Sequence, residues 1–171
     1  REEETPLRLA HFSDFHINSA LELGRAVNLV RHALRQGVDH IVITGDLVDA
    51  AQVGLIEHFW EELRRKGWSR SDRVTFVPGN HDVFPLPGRI PGGLLKIPNL
   101  RRPTTNWNRI NDITRHSRVG PGCARLVRGE PYPVGKVLSE YVVLVALDTT
   151  RNGKYDPRHW SEGELPRHHI R

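Results

Sequence analysis

The sequence is poor in several residue types, and each shortage excludes a class of protein. Its 171 residues include no methionine and one cysteine, Cys123. A single cysteine excludes an internal disulfide and fits a reducing compartment, so we expect a cytoplasmic protein. No apolar run approaches the ~18 residues that span a membrane. The start of the chain is too polar for a signal peptide, and the missing initiator methionine leads us to expect a few residues before Arg1.

The charge balance is basic. The net charge is +5 with neutral histidines and the pI is about 9.9, which suits an anionic partner. The positive residues are scattered, with one modest cluster at Arg101, Arg102 and Arg109. No basic stripe interleaved with aromatic residues, of the kind that binds single strands, is present. A small phosphate-ester substrate accounts for the charge equally well, so we favour it over nucleic acid; the oligomeric state is left open.

Three short polar segments organise the chain: residues 13–16, 45–49 and 79–82. Each follows an apolar run rich in β-branched residues, which is typical of a buried strand. The intervals from Asp14 to Asp46 and from Asp46 to Asn80 each fit one strand–helix–strand crossover. Ligands of open α/β sheets collect beyond the carboxyl ends of the strands. We therefore expect the three segments to meet along one edge of one sheet.

The residue types in these segments suit divalent metals. Carboxylate and amide oxygens together with imidazole nitrogen fit Mn²⁺, Fe²⁺ or Zn²⁺, whereas all-oxygen sites favour Mg²⁺ or Ca²⁺. A carboxylate between two cations can bridge them at a separation of ~3.5–4 Å. Asp46 lies on the middle crossover and is the natural bridge.

The three motifs, in this order and spacing, resemble the calcineurin-like metallophosphoesterase superfamily: Asp14-Phe15-His16, Gly45-Asp46-Leu47-Val48-Asp49 and Gly79-Asn80-His81-Asp82. The resemblance covers residues 7–85 well and residues 141–164 weakly. It implies an α/β fold, a layered metallophosphoesterase-like βαβ sandwich. It also implies phosphoester hydrolysis at two divalent metal ions, whose bound hydroxide attacks phosphorus in line.

The resemblance also implies roles for individual residues. Asp14 and His16 are expected to bind the first metal, and their spacing on an extended segment would point both side chains the same way. Asp46 would bridge the two ions, and Asn80 would bind the second through its amide oxygen. The structural alternatives are a turn cap for Asp14, a turn former for Asp46 and an Asx turn for Asn80.

His81 is expected to act as a general acid toward the leaving oxygen, or as a donor to the phosphoryl group. Asp82 is expected to orient the His81 ring. Asp49 has two interpretations, an outer partner of the metal ligands or a cap for a helix starting at Ala50, and we favour the cap. Cys123 is interpreted as a small, partly buried apolar residue, because nothing in the sequence places a base beside it.

Residues 1–171 are expected to form a single domain, large enough for a real core. The sequence predicts strands at 7–12, 38–44 and 73–77, helices at 19–36 and 50–66, a short helix near 107–116, a hairpin at 135–147 and a final helix at 161–170. The strand at 141–147 is expected to be fully buried. Residues 84–133, rich in proline and glycine, are interpreted as a substrate-facing cap or a plain surface insertion.

Members of the resembled family carry further histidines beyond this helix. His168 and His169 lie inside the predicted helix, so we expect them to be exposed rather than ligands. The chain is therefore expected to be the amino-terminal part of a catalytic domain. We favour a phosphodiesterase, with a DNA-processing nuclease of the same superfamily as the enzyme alternative. The non-enzymatic alternative is a relative that binds a metal or a partner without catalysis.

Overall fold

Three parallel strands form the sheet that positions the polar segments. The computed structural model describes residues 6–84, 102–150 and 163–169. Strands β1 (Leu9–Phe12), β2 (His40–Thr44) and β3 (Val74–Val77) pair in the order β1-β2-β3. Leu9 lies opposite His40, and Ile41 lies opposite Val74. The predicted strand–helix–strand–helix–strand order is confirmed, with strands shorter than the sequence suggested.

Helices α1 (Ala20–Arg35) and α2 (Val53–Arg65) make the two crossovers. Ser19 caps α1, because its side chain accepts from the Glu22 amide at 3.4 Å. The apolar stripe of each helix packs in the same core as side chains of β2 and β3. The buried stripe residues are Ala26, Val27 and Val30 in α1, and Val53, Ile56, Phe59, Trp60 and Leu63 in α2. Fully burying one such large side chain contributes about 1.5–3 kcal/mol, so these stripes anchor both helices.

A second, antiparallel sheet packs against β3. It contains β4 (Cys123–Arg125), β5 (Val134–Val137) and β6 (Val143–Ala146) in the order β4-β5-β6, so the predicted hairpin is confirmed. Lys136 is 1% exposed, and its Nζ donates to the carbonyls of Ser71 at 3.0 Å and Val74 at 2.7 Å. The Tyr132 hydroxyl donates to the Phe76 carbonyl. These buried polar contacts join the second sheet to the β3 segment.

The prediction that residues 141–147 are fully buried is wrong. Val143 is 62% exposed, Val145 is 50% exposed and Tyr141 is 74% exposed. Within the described residues β6 is an edge strand, because it pairs with β5 alone. An antiparallel edge strand buries one face, here the face of Ala146, and apolar composition cannot distinguish such a strand from one buried on both sides.

Part of the proline-rich region packs against the core. Helix α3 (Asn80–Val83) precedes it, and α4 (Arg102–Ile113) packs against both α2 and α3. Ile110 is completely buried, and the Trp107 Nε1 donates to Asp148 Oδ2 at 2.7 Å. One face of α4 therefore contributes to the core, and the interpretation of residues 84–133 as a cap or a surface insertion stays a prediction. The cap prediction for residues 85–101 falls outside the described residues.

The last described segment is short. A 3₁₀ turn spans Arg167–His169, whereas the sequence predicts a helix over residues 161–170. That prediction is wrong for residues 163–166, which are described and not helical, and residues 161, 162 and 170 lie outside the described residues. A search of the described residues for a helix that is both long and apolar enough to cross a membrane finds none.

Candidate metal centre

Backbone hydrogen bonds join the three polar segments into one edge. The Asp14 amide donates to the Gly45 carbonyl at 3.2 Å, and the His16 amide donates to the Asp46 carbonyl at 3.0 Å. The His81 amide donates to Asp46 Oδ1 at 3.0 Å. The loops that follow β1, β2 and β3 therefore contact one another directly at the carboxyl ends of the strands.

Three of the predicted ligands have left-handed backbone conformations. The φ angles are 56° at Asp14, 47° at His16 and 49° at Asp46. Residues other than glycine seldom adopt this region, and such strain, of about 1–3 kcal/mol each, is concentrated at functional sites. The extended geometry expected for Asp14 and His16 is therefore wrong, although their side chains do approach each other, with Oδ1 to Nε2 at 3.8 Å.

Gly45 lies in the loop after β2, the second loop, and Gly79 lies in the loop after β3, the third loop. Because both residues are glycines, the two loops can touch. A Cβ added to Gly79 would lie 2.2 Å from Asp46 Oδ1 and 2.3 Å from the Asp46 nitrogen. A Cβ added to Gly45, whose φ is 82°, would lie 2.6 Å from the Gly79 Cα. Only glycine at these two positions allows Asp46 to sit where it does.

The first group of candidate ligands contains Asp14, His16 and Asp46. One donor atom from each lies within 4.8 Å of the others. Asn80 is at the start of α3, and it lines one cleft together with Asp46. The structure therefore brings Asp14, His16 and Asp46 together and places Asn80 beside Asp46.

A second group contains His16, Asp49 and His81, again with donor atoms within 4.8 Å of one another. The two imidazole rings meet edge to face, with centroids 5.0 Å apart. Asp49 Oδ1 lies 3.5 Å from His16 Nδ1 and 4.0 Å from His81 Nδ1. The sequence places Asp49 in the same motif as Asp46, and the interpretation of Asp49 as an outer partner of the metal ligands rests on that motif.

The favoured role of Asp49 as a helix cap is wrong. Helix α2 begins at Val53, its N-cap residue is Gln52, and no side chain caps it. The Ala51 amide donates to the His81 carbonyl at 2.6 Å, and Ala51 has a φ of 50°. This contact with the third loop holds the start of the predicted helix in a non-helical conformation, so Asp49 lies in the loop.

Asp82 does not contact the His81 ring in the way the sequence suggested. Its carboxylate accepts from the Val48 amide at 3.0 Å and from the Gly79 amide at 2.9 Å. Complete burial raises the pKa of Asp82 to about 7, against the opposing effect of these amides. The ring nitrogen Nδ1 of His81 instead contacts the Asp49 carbonyl at 2.8 Å. Asp82 thus ties two loops together, and Asp49 orients the ring.

His169 belongs to neither ligand group as far as the described residues show. It ends the 3₁₀ turn and is half-buried, not exposed as predicted. The side chain of His168 lies outside the described residues.

The donor chemistry fits a divalent cation. Carboxylates and imidazoles converge, and the Nδ1 atom of His16 is buried without a hydrogen-bond partner in the described parts of the chain. Such a donor set at the edge of a parallel α/β sheet places the protein in the class of candidate metal-binding α/β proteins.

Comparison with known families agrees with this class. The family model described as calcineurin-like phosphoesterase matches residues 7–160. The chain therefore belongs to the calcineurin-like phosphoesterase family, a class of phosphoester hydrolases whose members typically bind divalent metals. A search of curated proteins returned no match.

Proposed function

We propose that this chain is a metal-dependent phosphodiesterase with a centre for two divalent cations, Mn²⁺, Fe²⁺ or Zn²⁺. The observation that carries the proposal is the convergence of Asp14, His16 and Asp46 at the edge where α/β sheets place their ligands. Asp14 and His16 would hold the first cation, Asp46 would contribute to both, and Asn80 would hold the second. When bound, the cations supply an activated water and offset the charge of the phosphoryl oxygens.

His81 is positioned for proton transfer. Its Nδ1 lies 2.8 Å from the Asp49 carbonyl, which can only accept, so Nδ1 carries a proton. The other nitrogen, Nε2, faces the substrate; in the doubly protonated ring, which carries a proton on each nitrogen, Nε2 gives its proton to the leaving oxygen or donates to the phosphoryl group. The ring is a quarter exposed, so a substrate can reach it.

A cleft beside the ligands supports a small phosphate-ester substrate. It has a volume of about 460 Å³, and Asp46 and Asn80 lie in its wall. The remaining described wall residues are apolar or small and polar, among them Phe84, Leu144 and Thr150, and none is Lys or Arg. Such a cleft suits the uncharged organic group of a small phosphate ester better than the polyanionic backbone of DNA.

The test is hydrolysis of a chromogenic phosphodiester by the 171-residue chain with Mn²⁺, compared with a matching phosphomonoester. We expect turnover of the diester that depends on Mn²⁺ and is lost in Asp46→Asn, because the bridge between the cations is removed. Asp112→Asn, an exposed residue of α4, is the matched control and should keep wild-type activity. Equal turnover in Asp46→Asn and the wild type would reject the proposal.

A metal-binding relative without catalysis is the second candidate. Asp14, His16 and Asp46 supply three ligands to the first cation, whereas Mn²⁺ and similar ions favour about six. Folded protein that binds Mn²⁺ but turns over neither ester would support this candidate over the phosphodiesterase.

A further inference from the structure

The His16 ring lies between two carboxylates. Its Nε2 is 3.8 Å from Asp14 Oδ1, and its Nδ1 is 3.5 Å from Asp49 Oδ1. The two nitrogens therefore face different groups: Nε2 faces the Asp14 side of the centre, and Nδ1 faces the loop that carries Asp49.

The Nδ1 side needs an acceptor. A neutral imidazole that binds a cation through Nε2 carries its proton on Nδ1. This nitrogen is buried and has no hydrogen-bond partner among the residues that the structure describes, and a buried N–H without an acceptor is unfavourable. The 3.5 Å separation from Asp49 Oδ1 is longer than the ~2.7–3.2 Å of an N–H···O hydrogen bond. A small movement of the ring or the carboxylate closes it.

We propose that Asp49 is the positioning residue of His16. Its carboxylate accepts the Nδ1 proton and thereby holds Nε2 toward the cation shared with Asp14 and Asp46. This inference rests on the proposed metal centre. Carboxylates that accept from the second nitrogen of a ligand histidine fix its tautomer and orientation. The same residue holds His81 through its main-chain carbonyl, so one loop residue positions both histidines.

The test measures metal binding rather than turnover. Co²⁺ is titrated into the full 171-residue chain, with calorimetry for affinity and visible absorption for the ligand set. We expect Asp49→Ala to weaken Co²⁺ about 10–100-fold, with the absorption spectrum at saturation unchanged because no ligand is lost. Asp49→Asn keeps an acceptor oxygen and should restore part of the affinity. Both variants keep the carbonyl that holds His81.

Two controls accompany the titration. Asp112→Asn should bind Co²⁺ like the wild type, and Asp14→Asn should lose affinity and change the spectrum, because a direct ligand is altered. Thermal unfolding without metal verifies that each variant is folded. If Asp49→Ala does not fold, Asp49→Leu, which also lacks a side-chain acceptor, takes its place, and an affinity equal to the wild type in that variant would reject the proposal.

Each remaining outcome is decisive. Wild-type affinity in Asp49→Ala would overturn the positioning role while leaving the metal centre intact. A changed spectrum, like that of Asp14→Asn, would make Asp49 a direct ligand and also overturn it. Absence of Co²⁺ binding in the wild type would reject both this proposal and the metal centre. Tight Co²⁺ binding that depends on Asp49, without any ester hydrolysis, would reject the phosphodiesterase alone.

Discussion

Gly79→Ala is the substitution whose effect follows most directly from the geometry of the centre. The φ of Gly79 is −98°, which alanine adopts freely, so the substitution adds one methyl group without straining the backbone. That methyl group would lie 2.3 Å from the main-chain nitrogen of Asp46 and 2.2 Å from its Oδ1. A side chain can rotate away, but a main-chain nitrogen cannot, so the two loops must separate.

The size of the separation sets the expected effect. Ordinary contact begins at 3.4 Å, so Asp46 and residue 79 must move apart by about 1 Å. A misplacement of ~1 Å at reacting groups can reduce turnover about 100-fold. Forcing an extra methyl group into a packed site destabilises the fold by about 1–3 kcal/mol. The shift also lengthens the hydrogen bond from the His81 amide to Asp46 Oδ1.

We would measure Mn²⁺ affinity, diester turnover and urea unfolding of Gly79→Ala. The matched control is Gly24→Ala in α1, where an added Cβ meets nothing within 4 Å. The control should retain activity and gain about 1 kcal/mol of stability from the better helix propensity of alanine. Wild-type Mn²⁺ affinity and an unchanged free energy of unfolding in Gly79→Ala would show that the loops after β2 and β3 do not touch at Asp46 and Gly79.

Two further predictions concern His81 and Lys136. His81→Ala should lower kcat about 10²–10⁴-fold and leave Mn²⁺ affinity nearly unchanged; loss of Mn²⁺ binding in a calorimetric titration would instead make His81 a ligand. Burial lowers the pKa of Lys136 to about 8, so between pH 8 and pH 10.5 the unfolded chain holds one more proton than the folded chain. The free energy of unfolding should therefore rise by roughly 3 kcal/mol over this range. In urea unfolding, Lys136→Met should lack this rise in the free energy of unfolding. An equal rise in the variant would show that Lys136 is not the group responsible for it.

The sequence was sufficient for the parts of the fold that local chemistry determines. Strands β1, β2 and β3 follow from β-branched runs, and the polar residues after them meet because parallel strands end at one edge. The three-residue strand β4 was missed, because Cys123–Arg125 is too short to show an alternating pattern.

Tertiary contacts explain the errors at the candidate centre. The start of α2 moved from Ala50 to Val53 because the Ala51 amide bonds to the His81 carbonyl. Helix propensity is a weak preference that such a contact overrides. The roles of Asp49 and Asp82 depend on which loop each carboxylate faces, and spacing along the chain does not determine that.

The strained backbone at Asp14, His16 and Asp46 must be stabilised by its surroundings. Strain of about 1–3 kcal/mol for each residue is of the same order as the hydrogen bonds that join the loops, at about 0.5–1.5 kcal/mol for a typical bond and more where a carboxylate accepts. Asp82 accepts from amides of the second and third loops, and Asp46 Oδ1 accepts from the His81 amide. The chain therefore provides the stabilisation that holds the ligands together. A cation that binds to donors already in place avoids the entropic cost of ordering them, which is why the contacts made by Gly79, Asp49 and Asp82 matter as much to this centre as its ligands.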